Sequence, residues 1–486
     1  MTTPAKFDVK LTSPFDEGME CSDPLIKIQP AQQPQEWMPS RFNARTVDSN
    51  GNMVIWNTLS GNINTFRDVQ KQAAEQMLSR KGFRGTLSPL GKYLHERGYI
   101  VPKGTQEYRQ FQQLFGFQHY RSDRLELILL ASEDCNFRCK YCYEDFARGT
   151  MEPQVRRNIK ALVNRRADGL REFSVHWFGG EPLYGYAAIE DLAPFFLETA
   201  TRHGWNYAAS MTTNGYLLTP ETARRLISWG IRKFQITLDG PPEQHDANRP
   251  ARDGAGTFRV IFENLRALRD TDQKFLVRLR INYDRANSSH LEALLQLLQE
   301  AFGRDPRFEL AFHAVGKWGG PNDVQLEVCG SEAKDVKVML QQAASSKGLK
   351  VPTLTEASRP GGFVCYAARP YNLLIGAKGQ VMKCTVALDK DPTNVVGSLQ
   401  EGGELVLDRE RFARWVEPAF ESDSGCRSCH LLPACQGISC PLIRFETHES
   451  PCETTCKHSL HDELVRLLPA RPAIESTASR LSSDRS

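Results

Sequence analysis

The sequence predicts an α/β protein built on a partial (β/α)6 barrel of TIM type, with a small domain before it and a cysteine-rich domain after it. Three observations carry this expectation. Between residues 121 and 320 six strand-like apolar runs follow one another, and each of the first five leads into an amphipathic helical pattern, as a parallel sheet requires. Residues 40–120 instead hold a hairpin signal followed by helices, enough for a small unit of their own. Beyond residue 361 the alternation stops and closely spaced cysteines take over.

A chain of 486 residues exceeds one ordinary core, so two or three domains are expected. Lys+Arg 61 against Asp+Glu 58 is close to balance, which gives neither nucleic acid nor an anionic membrane an electrostatic claim as main partner. The chain shows no charged-then-apolar signal segment and no apolar run of membrane-spanning length, so a cytoplasmic location is expected. In that reducing compartment 13 cysteines point to metal or redox cofactors before disulfides.

Taken in order, residues 1–39 are polar and proline-rich without periodicity and read as a flexible arm, with Cys21 a bystander. Runs 41–46 and 53–58 flank Asn50-Gly51, a strong hairpin signal. Helical patterns follow at 67–80 and 89–98, then an extended run at 99–102 and a helix around 108–115. The barrel strands are expected at 125–131, 173–178, 207–213, 234–238, 275–282 and 308–314. Residues 321–360 read as a mostly helical bridge, with Cys329 just before a helix over 331–344. The cysteine-rich domain is set at 361–468, and 469–486 at a disordered tail rich in Ser, Ala and Arg.

Barrel chemistry sits at the C-terminal ends of the strands, and the polar motifs fall there. After the first strand come Cys135, Cys139 and Cys142, with Tyr141 before the third cysteine. Three thiolates in eight residues can surround one inorganic centre, and three protein ligands on a four-iron cluster leave one iron open. A zinc knuckle is the alternative, but zinc sites usually pair two Cys-x2-Cys units and no fourth ligand lies nearby. After the second strand Gly179-Gly180-Glu181-Pro182 offers close backbone approach and a carboxylate able to pair with an ammonium. Thr212-Thr213-Asn214-Gly215 and Thr237-Leu238-Asp239-Gly240 follow the third and fourth strands, and Asn282 closes the fifth. His245 and Arg249, in the loop 241–257, suit either substrate contacts or loop-stabilising hydrogen bonds.

The cysteine triplet with Tyr141 and Gly179-Gly180-Glu181-Pro182 resembles the radical S-adenosylmethionine (radical SAM) superfamily. The resemblance implies a [4Fe-4S] cluster on Cys135, Cys139 and Cys142, whose free iron chelates the amino acid end of S-adenosylmethionine. It further implies that Gly179, Gly180 and Glu181 receive the amino group and methionine part, that Thr237 sets a hydroxyl against the ribose, and that Tyr141 and Asn214 belong to the same cofactor site.

The layout Cys365-x13-Gly379-x4-Cys384, then Cys426-x2-Cys429-x5-Cys435-x4-Cys440, Cys452 and Cys456, resembles the SPASM domain, which carries two auxiliary [4Fe-4S] clusters. By that resemblance Cys365, Cys384 and Cys440 serve one cluster and Cys426, Cys429, Cys435 and Cys452 the other. Cys456 competes with Cys452 for the last place, and Cys456 or Cys329 could complete the first cluster. One departure is four residues between Cys435 and Cys440 where the family commonly has three, and a zinc ribbon on Cys426 and Cys429 stays open. The 40–120 layout is similar to the winged-helix peptide-recognition domains of peptide-modifying members, which capture a leader by strand addition, although a plain packing cap has the same layout.

The expectation is a peptide maturase that forms a thioether, ether or carbon-carbon crosslink in a ribosomally made precursor peptide, fed by a flavodoxin- or ferredoxin-type electron donor. Two alternatives are kept. A formylglycine-forming enzyme of the sulfatase-maturase kind characteristically has an Asp directly after the cysteine matching Cys384, where this chain has Thr385. A noncatalytic peptide-presenting iron-sulfur protein would have no need of an open iron.

Overall fold

The computed structural model describes residues 36–447, apart from 49, 331, 353–357, 389–390 and 439. Most of the expected arm, the tail, Cys452 and Cys456 lie outside the described residues.

Six short strands and three helices make the N-terminal unit: β1 (Glu36–Pro39), β2 (Asn43–Val47), β3 (Met53–Asn57), β4 (Ile63–Phe66), β5 (Phe83–Arg84) and β6 (Ile100–Pro102), with helices Asp68–Met77, Pro89–Glu96 and Glu107–His119. They form two antiparallel three-stranded sheets, ordered β5-β1-β6 and β2-β3-β4. The Asn50-Gly51 turn joins β2 to β3 as the hairpin signal requires, with Gly51 at φ 78°. The expected arm is corrected at its end, because 36–39 is a central strand. Trp37 explains it: the indole is buried against His95, with ring centroids 4.8 Å apart, and its Nε1–H donates to the Gly85 carbonyl at 3.1 Å. Local polarity gave no sign of a strand whose stability comes from distant partners.

The barrel follows with β7 (Arg124–Ser132), β8 (Glu172–Gly179), β9 (Asn206–Thr213), β10 (Ile231–Thr237), β11 (Leu276–Tyr283) and β12 (Phe308–Ala314), neighbours in sequence order and all parallel. Alternation along β7 shows why these segments take this form. Leu125, Leu127 and Leu129 pack outward in one buried cluster with Val155, Ile159 and Val163 of helix Pro153–Arg166. Glu126 and Ile128 face the other way, into a cavity whose far wall includes Ala314 of β12. One cavity touching both the first and the sixth strand is the mark of a sheet curled into a partial barrel.

The sheet does not stop at β7. Four more strands, β13 (Asn372–Ile375), β14 (Gln380–Met382), β15 (Val395–Leu399) and β16 (Leu405–Leu407), extend it to ten, β13 running parallel to β7 and the rest antiparallel. The cysteine-rich region is therefore joined to the barrel through backbone pairing. The bridge 321–360 is less helical than expected: its described residues hold helix Ala333–Ser346 and a 3-10 turn at Asp323–Gln325. Gly319, Gly320 and Pro321 break the pattern on its N-terminal side.

The N-terminal unit packs directly on the cysteine-rich lobe. Phe42, Phe111 and Phe115 share a buried cluster with Phe420, Leu432, Ile438 and Cys426. Trp56 sits beside Phe363, and its Nε1–H donates to the Ser358 carbonyl at 2.9 Å. Among the described residues no helix is long and apolar enough to cross a membrane.

Candidate active site

Each strand end contributes one part of the site. The loop after β7 is clamped against the loop after β10: the N–H groups of Arg138 and Lys140 donate to the carbonyls of Pro250 and Asn248, both at 2.9 Å, and the Arg252 N–H donates to Asn136 at 2.7 Å. So held, Cys135, Cys139 and Cys142 all line one cavity of about 700 Å³ at the mouth of the barrel. The Phe137 N–H points at the Cys135 sulfur at 3.3 Å, and Asn214 Nδ2 lies 3.8 Å from it. Burial, then the neighbouring Cys139, push the Cys142 thiol up to about 12, and burial pushes Cys135 up as well. Bare thiols here would stay protonated at neutral pH. Three thiolates in this pocket call for a bound polycation, which an iron-sulfur cluster supplies, and the N–H donors aimed at Cys135 suit its sulfur as thiolate.

Gly179 and Gly180 let the end of β8 press on this loop. A Cβ on Gly179, whose φ is 123°, would stand 2.0 Å from the Ser132 carbonyl oxygen, and one on Gly180 would stand 2.7 Å from that of Asp134. Glu181 is placed differently from what charge pairing with a ligand suggests. It is fully buried, and its carboxylate accepts from the Leu183 N–H at 2.9 Å, the Thr213 hydroxyl at 2.7 Å and the Asn214 N–H at 2.7 Å. In this arrangement it fixes the strand end that carries Asn214, whose Nδ2 reaches Asn136 Oδ1 at 2.7 Å. Asn214 and Thr237 both line the cavity.

Tyr141 turns its hydroxyl inward to Asp239, Arg249 Nη1 (2.5 Å) and Asn282 Nδ2 (3.0 Å). Asp239 also accepts the Asn282 N–H at 3.2 Å, so one carboxylate ties the ends of β10 and β11 to the cysteine loop. Between the two readings of the 241–257 loop, the geometry gives His245 the structural one. It is fully buried, accepts the Asp239 N–H at 3.3 Å through Nδ1, and meets the Thr257 hydroxyl at 3.2 Å through Nε2. Arg249 pairs with Asp239 at 3.8 Å and also lines the cavity.

Sequence reasoning missed the lower cavity wall. His176 on β8 meets Ser210 Oγ at 2.7 Å and Thr212 Oγ1 at 3.1 Å, both on β9, and Gln235 of β10 lines the same wall. Burial lowers His176 to about 4, so the ring is neutral. The signal was present as polar residues at every second position of strands otherwise built for a core. Tyr366 and Thr385 also line the cavity, hydrogen-bonded through their hydroxyls at 2.7 Å. They directly follow Cys365 and Cys384, which the fold brings near Cys440: burial first, then these two neighbours, push the Cys365 thiol up to about 11. Cys426 and Cys429 pack together under the N-terminal unit, and Cys435 is buried.

A six-strand parallel partial barrel with a three-cysteine loop over its mouth defines the class, and residues 129–298 match the family model for the Radical SAM superfamily. Those residues form a radical SAM domain, of a superfamily whose cofactors are a [4Fe-4S] cluster and S-adenosylmethionine. Among curated relatives it is 22% identical to the radical SAM cyclopropyl synthase TigE of Paramaledivibacter caminithermalis, over 71% of this chain and 74% of that one. It is 26% identical to the mycofactocin maturase MftC of Mycobacterium tuberculosis, over 64% of this chain and 77% of that one. Among solved structures, native anSMEcpe with bound AdoMet and the Kp18Cys peptide shares the fold at TM-score 0.50 and 18% identity, over 65% of this chain and 88% of that one.

Proposed function

We propose that this enzyme is a peptide maturase that installs a thioether, ether or carbon-carbon crosslink in a ribosomally made precursor. The observation that carries this reading is that one cavity is lined both by Cys135, Cys139 and Cys142 and by Tyr366 and Thr385, the chain neighbours of Cys365 and Cys384. A substrate carbon in that cavity would have access to both cysteine regions, as an oxidative bond-forming reaction needs. A peptide substrate is supported by the maturase MftC among the relatives and by the peptide bound in the fold neighbour.

When bound, the cluster and S-adenosylmethionine supply a 5'-deoxyadenosyl radical that takes a hydrogen atom from the peptide, and a SPASM-type auxiliary cluster supplies an acceptor for the electron released as the new bond closes. The chain's own residues do the positioning. Cys135, Cys139 and Cys142 hold the first cluster, Gly179 and Gly180 admit the methionine part, Glu181 holds Asn214 in place, and Thr237 and Tyr141 shape the nucleoside end. Cys365, Cys384 and Cys440 would hold one auxiliary cluster, and Cys426, Cys429 and Cys435, with Cys452 or Cys456, the other. The curled sheet keeps water from the reacting carbon. The N-terminal unit would take the precursor's leader along a sheet edge, and a flavodoxin- or ferredoxin-type protein would deliver the electron. Thr385 offers a hydroxyl held by Tyr366 where a formylglycine-forming enzyme would present a carboxylate.

Reduced anaerobic protein with S-adenosylmethionine should release 5'-deoxyadenosine, and Cys139→Ala should release none. Cys429→Ala should keep some release while losing the crosslinked product. Absence of release from wild type with its cluster reduced would favour a peptide-presenting protein, and full product from Cys429→Ala would remove the auxiliary role.

A further inference from the structure

A lysine is seldom shut away from water unless an acid meets it, because the ammonium loses its hydration there. Lys383, the residue between β14 and Cys384, is fully buried. Its Nζ donates to the Arg369 carbonyl at 2.7 Å and the Asn372 carbonyl at 2.6 Å, and stands 5.2 Å from the centre of the Phe412 ring. Among the described residues no carboxylate pairs with it. Carbonyl oxygens and a ring face suit a cation, but they bring no negative charge to balance it.

The balancing charge can be sought among its neighbours. Burial works against the ammonium and pushes it down to about 7, and the charges that push it back up are Cys365 first and then Glu126. Glu126 is already engaged by Arg124, by Arg369 and by Asn372 Nδ2 at 2.8 Å. That leaves Cys365, which shares its surroundings with Cys384 and Cys440. The sulfurs of Cys384 and Cys365 both meet backbone N–H groups, from Val386 at 3.4 Å and from Ala367. Asn394, itself fully buried, fixes the junction, its Oδ1 accepting the N–H groups of Lys383 at 3.1 Å and Cys384 at 2.8 Å. Amide donors aimed at sulfur and a buried cation close by are provisions for thiolates, the form in which cysteine binds iron.

We propose that Lys383 is the buried counter-charge of the auxiliary cluster on Cys365, Cys384 and Cys440, and that it raises the reduction potential of that cluster. This rests on the auxiliary-cluster part of the peptide-maturase reading. One-electron reduction adds a negative charge to a cluster, and a cation fixed in surroundings of low dielectric favours the more negative state. Arg369, the other cation near Cys365, is half-buried and tied to Glu126 at 3.3 Å, so it is less suited to this. Lys383 does not line the cavity, so its effect acts through the cluster and not on the substrate. A cluster beside it accepts an electron more readily than the same cluster without it.

The test is a redox titration followed by EPR on the anaerobically reconstituted full chain carrying Cys135/Cys139/Cys142→Ala, which leaves only auxiliary clusters to be seen. Lys383→Gln removes the charge but keeps an N–H donor for the two carbonyls. It should lower one potential so that the reduced-to-oxidised ratio at a fixed applied potential falls roughly tenfold, about 59 mV for one electron. Lys383→Met should do the same, and Lys383→Arg, which keeps the charge, should stay close to the parent. The second cluster, on Cys426, Cys429 and Cys435, should move in none of them. An unchanged potential in both neutral variants, or an equal shift in the arginine variant, overturns the proposal. If the neutral variants lose that cluster's iron, its retention by Lys383→Arg upholds the role of charge, and its loss there too overturns it. An iron count on the parent that shows no auxiliary cluster removes the underlying reading and the proposal with it, and is seen before any potential is measured.

Discussion

Glu181 shows at the scale of one residue how a motif and its role separate. All three of its hydrogen bonds come from donors within the protein, two of them backbone N–H groups. Glu181→Gln would aim an amide NH2 at one of those donors and leave it unmet, at a cost of about 1 to 3 kcal/mol. The expected outcome is a lower thermal midpoint together with weaker S-adenosylmethionine binding, read by calorimetry on the same preparation. His119 and His176 are both lowered to about 4 by burial, so between that value and the ordinary histidine value near 6.5 the unfolded chain binds protons that the folded chain refuses. Stability is therefore full above about pH 6.5 and is lost as pH falls toward 4, by roughly 1 to 3 kcal/mol per histidine. Urea unfolding at pH 7 and pH 5 measures this. His119→Gln, which keeps a donor for the Val416 carbonyl that His119 Nε2 meets at 3.0 Å, should flatten the slope.

Elements meet here through backbone contacts that admit no side chain. Gly185, which leads into helix Tyr186–His203, lies against β7, and a Cβ there would stand 2.0 Å from the Ala131 carbonyl oxygen. Gly185→Ala should separate β7 from that helix and lower stability by about 1 to 3 kcal/mol. Gly204, at the other end of the same helix, has φ 68° and nothing within 4 Å, so Gly204→Ala should cost about 1 kcal/mol, from backbone conformation alone. Thermal unfolding of the pair separates the two causes. The six barrel strands were legible because each runs seven to nine residues and the first five lead into helical patterns. Strands β13 to β16, at three to five residues each, carry too few alternations to register, and they exist because the first barrel strand offers β13 a free edge.

Across the whole molecule, the N-terminal unit and the barrel are joined through the cysteine-rich lobe. Trp56 shares a buried cluster with Leu431 and Ala434, against which Cys429 also packs. Trp56→Ala should remove about 3 to 5 kcal/mol from that junction. Limited proteolysis should then cut within 36–119 sooner than in wild type, while release of 5'-deoxyadenosine persists, because the barrel keeps its own core. Loss of both together would mean that the N-terminal unit holds the barrel itself in shape.

The sequence by itself determined the barrel, the order of its strands and the three-cysteine loop at its mouth, since periodicity and short spacings are local properties that survive without knowledge of the fold. It also put Asn214 and Thr237 at strand ends, while the cofactor role expected of them and of Tyr141 came from the family resemblance. The tertiary structure decided what those residues touch. It turned the Glu181 carboxylate inward, gave His245 to the loop and set Tyr366 and Thr385 on the same cavity as the cysteine triplet. It also enclosed Asn372 Oδ1 without a hydrogen-bond partner. Each of these depends on contacts between positions far apart in the chain, as between Glu126 and Asn372, and no local pattern encodes the side of a strand on which a distant neighbour will lie.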